Sequence, residues 1–62
     1  MTLLRLPEVS RRTGLSRSSI YDRIKRGTFP PPIRLDYRLS AWVGAEIDQW
    51  IARRIAESRN AP

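Results

Sequence analysis

Apolar residues recur along this chain at helical intervals, then in short alternation, then at helical intervals again. Leu6 and Val9 mark the inward face of a first helix over about Pro7–Thr13, after an apolar lead-in, Leu3-Leu4, that reads as an extended piece. Pro7 suits the first turn, where its missing N–H costs nothing, and Glu8 follows near the positive end of the helix. Gly14 ends that helix, because glycine takes the left-handed C-terminal conformation without steric cost. Leu15 fills the turn and Ser16 offers a hydroxyl N-cap. A second helix is predicted over about Arg17–Arg26, with Ile20 and Ile24 on its buried face and Gly27 closing it. Taking that face as reference, the helical period puts Ser18, Asp22 and Lys25 on the opposite side and Arg17 and Tyr21 on a flank.

Phe29-Pro30-Pro31-Pro32 cannot continue a helix and reads as a rigid spacer, with a proline-ligand role for aromatic grooves as the alternative. Ile33-Arg34-Leu35 and Arg38-Leu39-Ser40-Ala41-Trp42 alternate around Asp36-Tyr37, the pattern of a small β-hairpin. A two-stranded ribbon is marginal alone and has to pack on the helices. From about Gly44 the helical interval returns, with Ile47, Trp50, Ile51 and Ile55 on one stripe, Glu46 and Asp48 near the start and Arg53 and Arg54 nearer the end. Val43, Gly44 and Ala45 give this third helix a weak N-cap. Phe29, Trp42 and Trp50 are expected as core anchors, the alternative being display for stacking. The order is helix, turn, helix, hairpin, helix: a mostly α fold with a small β-hairpin, read as one winged helix-turn-helix domain over residues 1–62. Its ordered core is expected at about 3–57 and a frayed tail at 58–62.

Composition narrows what such a fold can do. Chains of this size bury only ~60% of the surface that their unfolded form exposes, so packing has to be efficient. There is no Cys and no His among the 62 residues, which rules out a disulfide, a thiolate metal site and nucleophile systems built on His or Cys. The three glycines are scattered and form no phosphate loop. Neither an enzyme nor a metal or other cofactor is expected. No apolar run approaches the ~20 residues that span a bilayer. The N-terminal residues lack the apolar core of a signal peptide, so a cytoplasmic location is expected.

The net charge of +6 changes the picture more by its placement than by its size. Residues 1–38 hold nine basic side chains against three acidic ones, whereas residues 39–62 hold three of each. All of the net charge therefore lies on the two-helix unit and the segment after it, as expected for a protein that meets a polyanion.

Three stretches carry a resemblance to a known family. They are Arg5-Leu6-Pro7-Glu8-Val9, Arg12-Thr13-Gly14-Leu15-Ser16-Arg17-Ser18-Ser19-Ile20-Tyr21 and Gly27-Thr28-Phe29-Pro30, joined later by Leu35, Arg38, Trp42 and Glu46-Ile47-Asp48-Gln49-Trp50-Ile51. Over roughly residues 3–56 the chain resembles the AlpA family of small phage-derived regulators, within the winged-helix class that includes MerR-type and excisionase domains. The family often has Gly where this chain has Asp36, a basic residue at Asp22 and Ser at Ala45. These departures bear on the hairpin turn, on base preference and on a helix cap. The resemblance implies sequence-specific binding of double-stranded DNA and regulation of prophage or integrated-element genes. Related domains act as excisionase-type factors that bend DNA at attachment sites, which makes an integrase a partner to consider. A protein-interaction module is the reading from another class.

On the DNA reading, the second helix enters the major groove by its N-terminal half. Arg17 is the first candidate for base contact, because a guanidinium pairs bidentately with guanine; its alternative is to cap or cover the core. Ser18 and Tyr21 are further candidates. Asp22 either accepts from a cytosine amine or pairs with Arg26 or Lys25 on the helix surface. Arg11, Arg12, Ser19, Lys25 and Arg26 are candidates for the phosphate backbone, and Arg34, Tyr37 and Arg38 for the adjacent minor groove. A module this small reads few base pairs, so self-association on DNA is expected, as cooperative binding to adjacent repeats or, alternatively, as a dimer.

Overall fold

A computed structural model describes residues 1–60. In chain order these form β1 (Leu3–Leu4), α1 (Leu6–Thr13), α2 (Arg17–Lys25), β2 (Ile33–Asp36), β3 (Leu39–Val43) and α3 (Gly44–Asn60). The helices lie where the apolar intervals put them. α1 starts one residue early, at Leu6, and α2 stops at Lys25 with Arg26 as its C-cap.

The α1–α2 turn is fixed by short-range hydrogen bonds. Gly14 takes φ 74°, and its N–H donates to the Ser10 carbonyl at 2.8 Å. The Ser10 hydroxyl donates to the Leu15 carbonyl at 2.6 Å, while the Leu15 N–H donates to Thr13 Oγ1 at 3.2 Å. Leu15 is thereby held against the core. Ser16 Oγ accepts the Ser19 N–H at 3.2 Å and so satisfies one of the free donors at the start of α2. Ser16→Ala is expected to cost ~1 kcal/mol, read as a lower midpoint in a denaturant titration with an unchanged slope.

The sheet is larger than the expected two-stranded ribbon. β1 joins it, giving the antiparallel order β1-β3-β2, with Leu4 opposite Trp42 and Ile33 opposite Ala41. A ribbon of two short strands has too little apolar face to stand alone, and β1 both pairs a third strand and seats Leu4 in the core. The lead-in also solves the capping problem of α3, because the Gly44 N–H donates to the Thr2 carbonyl at 2.8 Å. A Cβ at Gly44 would lie 3.1 Å from that same carbonyl, a tight contact that the lead-in would have to relieve by shifting a few tenths of an ångström.

In the hairpin, Arg34 pairs with Ser40 and Asp36 with Leu39, which leaves Leu35 as a bulge. The two-residue turn Tyr37-Arg38 places Arg38, not a glycine, in the left-handed region at φ 64°. The Asp36 carboxylate accepts the Tyr37 N–H at 2.7 Å and so does locally the work of a turn residue. Arg38, read from the sequence as the first residue of the strand, belongs to the turn instead. A residue with positive φ cannot extend the pleat.

The core consists of Leu4, Val9, Ile20, Phe29, Trp42 and Ile47, bordered by Leu6, Leu15, Ile24, Trp50 and Ile51. Trp42 and Phe29 are buried as expected, but Trp50 is only half-buried at the edge. The two indoles grip the proline segment from both ends. Trp42 Nε1 donates to the Pro30 carbonyl at 3.0 Å and Trp50 Nε1 to the Thr28 carbonyl at 2.8 Å. α3 runs on through Asn60, past the expected boundary of the ordered core, with an Arg54–Glu57 pair at 3.2 Å and Arg59 in its negatively polarised last turn. Residues 61–62 of the expected tail lie outside the described residues. No helix among the described residues is long and apolar enough to cross a membrane.

Candidate nucleic-acid interface

α2 buries Ile20, half-buries Ser19, Arg23 and Ile24, and turns the rest of its circumference outward. Arg17, Ser18, Tyr21, Asp22, Lys25 and Arg26 are all exposed. Ser18 and Lys25 lie on the outward centre and make no side-chain hydrogen bond or ion pair within the described chain. The flanks differ. On one side the Tyr21 ring lies 6.3 Å from that of Trp42 on β3, and the Arg17 guanidinium stands 5.7 Å over Tyr21. This flank therefore faces the sheet, and Arg17 rests on an exposed aromatic ring, its charge directed to solvent. On the other side Ser19, Arg23 and Arg26 face Trp50 and Arg54 in the middle of α3.

Asp22 pairs with Arg26 at 3.1 Å, the helix-surface role that was one of its two expected readings. Ser19 is half-buried, and its hydroxyl accepts from Arg23 Nε at 3.4 Å while its own N–H is taken by the Ser16 cap. On α1, Arg11 and Arg12 are exposed but both pair with Glu8, and Arg12 reaches Asp48 of α3 at 3.4 Å. The two guanidiniums, Arg11 foremost, hold the Glu8 carboxyl below the usual glutamate range. The support that this pairing lends to the fold is thus present at neutral pH and is lost as acid protonates Glu8. Arg34, Tyr37 and Arg38 are exposed along the hairpin, with the Arg38 guanidinium 5.3 Å over the Tyr37 ring. No cluster of metal-ligating side chains occurs among the described residues.

Two cations outside the sequence-derived set join the site. Arg23 and Arg54 stand 6.0 and 5.9 Å from the Trp50 ring centre, so that both guanidiniums gather at one indole. The spacing of Trp50 and Arg54, one helical turn apart, was the available signal for one of them. Nothing local connected Arg23 to α3.

Fold and surface together define a small unit of three helices and a three-stranded sheet that presents one short basic helix between a hairpin and the middle of a longer helix. Within that class the chain belongs to the family described as prophage CP4-57 regulatory protein (AlpA), which it matches over residues 2–55. It is 49% identical over 53 residues to "Uncharacterized protein ORF88" of Enterobacteria phage P4, a match covering 86% of this chain and 60% of the phage protein. It is 38% identical over 58 residues to "DNA-binding transcriptional activator AlpA" of Escherichia coli K12, covering 84% of this chain and 83% of that protein.

Proposed function

We propose that this chain is a sequence-specific double-stranded-DNA-binding transcription regulator of the winged helix-turn-helix type, acting on genes of prophages or other integrated elements. α2 lies in the major groove, with Arg17, Ser18 and Tyr21 toward base edges and Lys25 and Arg26 on phosphates. The β2–β3 hairpin carries Arg34, Tyr37 and Arg38 along the adjacent minor groove, where cations respond to groove width. Arg11 and Arg12 reach the backbone by exchanging Glu8 for phosphate. Asp22 keeps Arg26 oriented and is not assigned a base.

The observation that carries this reading is the outward face of α2. It exposes Arg17, Ser18, Tyr21, Asp22, Lys25 and Arg26, three cations against one carboxylate, on a helix whose opposite side holds Ile20 fully buried. A face of that kind fits a major groove of ~12 Å width. The DNA-binding transcriptional activator of Escherichia coli and the family of regulatory proteins to which the chain belongs support it.

The experiment is selection of bound duplexes from random-sequence DNA at defined salt, followed by titration of the enriched and scrambled sequences. The expected result is one enriched motif, tighter binding to it than to the scramble, and log K falling linearly with log salt. No enrichment together with no salt-dependent duplex binding refutes the reading.

A further inference from the structure

The two flanks of α2 are not equivalent, and only one faces the hairpin. A helix lying in the major groove runs between two phosphate backbones. On that reading the hairpin lies toward one of them, on the side where Tyr21 meets Trp42. The other flank opens on a notch between α2 and α3, floored by Trp50 and rimmed by Arg23, Arg26 and Arg54, with Ser19 and Thr28 beside them.

We propose that this notch is a second phosphate site, in which Arg54 of α3, with Arg23 and Arg26 of α2, holds the DNA strand opposite the hairpin. The proposal rests on the DNA-binding reading and adds α3, whose three arginines are balanced by three carboxylates, so that charge counting along the chain does not single it out. Trp50 is the organising group. Its Nε1 is tied to the Thr28 carbonyl at 2.8 Å and its ring packs edge-on against Phe29 at 4.9 Å, so the indole is fixed. The guanidiniums of Arg23 and Arg54 gather at that fixed ring, and Arg23 is further held by Ser19 Oγ. Two rotamer-rich cations are thus arranged in advance, which reduces the ordering cost of binding. Two carboxylates border the notch, Asp22 on Arg26 and Glu57 on Arg54, at 3.1 and 3.2 Å. Both pairs are exposed, and a phosphate oxygen replaces an exposed carboxylate readily.

Fluorescence anisotropy on a short duplex, with the selected sequence and its scramble, tests this across roughly 50–200 mM salt. Arg54→Ala is expected to weaken both duplexes alike by roughly three- to ten-fold and to reduce the salt slope by about one. Arg59→Ala, which removes the same charge from the same helix outside the notch, is expected to leave the slope unchanged. Arg54→Lys should keep most of the slope, and Glu57→Gln should tighten binding by freeing Arg54, neither of which a purely structural role predicts. Thermal melts of each variant confirm the fold. Equal losses for Arg54→Ala and Arg59→Ala, or no change in slope for Arg54→Ala, overturn the proposal while the DNA reading stands. A wild-type chain without salt-dependent duplex binding overturns both.

Discussion

Replacing Trp42 by Ala is expected to remove a third or more of this protein's stability and to lower its melting midpoint steeply. Trp42 is 1% exposed and is the largest fully buried side chain, so its removal leaves a cavity in the centre of the core. Large aromatic-to-alanine changes in cores cost about 3–5 kcal/mol, whereas a domain of this length holds roughly 3–9 kcal/mol in total. The loss is not confined to one layer. Trp42 sits opposite Leu4 on β1, donates Nε1 to the Pro30 carbonyl at 3.0 Å and supports the Tyr21 ring of α2 at 6.3 Å. Trp42→Phe keeps most of the buried area and loses the hydrogen bond, so a cost nearer ~1–2 kcal/mol is expected. Circular dichroism melts of the two variants check this: equal midpoints for Trp42→Ala and wild type would remove the indole from its central role.

Arg17→Ala is expected to cost ~1–3 kcal/mol on the selected duplex and much less on its scramble, relaxing preference at a single base pair. Arg17 is exposed at the first position of α2 and makes no ion pair within the described chain, and its guanidinium stands 5.7 Å over the Tyr21 ring. Removing it therefore leaves no buried group unpaired, and the fold should be almost unaffected. The contrast with Arg54→Ala is the informative comparison. A base contact changes the ratio of affinities between sequences, whereas a phosphate contact changes both affinities and the salt slope together. An unchanged ratio for Arg17→Ala would move base reading to other residues of α2.

The helices, the caps at Gly14 and Ser16 and the exposed face of α2 were legible because each depends on neighbours a few positions away. Ser16 capping Ser19, Gly14 closing α1, and Ile20 and Ile24 defining the inward side of α2 are all local relations. The hairpin was legible as alternation, but its turn was not. Asp36 binding the Tyr37 N–H and Arg38 taking φ 64° replace the glycine that such turns usually use, so a polar pair of no fixed turn type conceals the geometry.

What the chain determined by itself is therefore three helices, a hairpin, and a concentration of positive charge before residue 39. Tertiary structure alone decided that the N-terminal lead-in is a strand of the sheet, that Trp50 is an edge residue gathering Arg23 and Arg54, and which flank of α2 faces β3. The physical reason is range. Hydrogen bonds within a helix or turn are closed by residue types that sequence spacing exposes, whereas the meeting of Leu4 with Trp42, or of Arg23 with Trp50, depends on how whole elements pack to bury a small core.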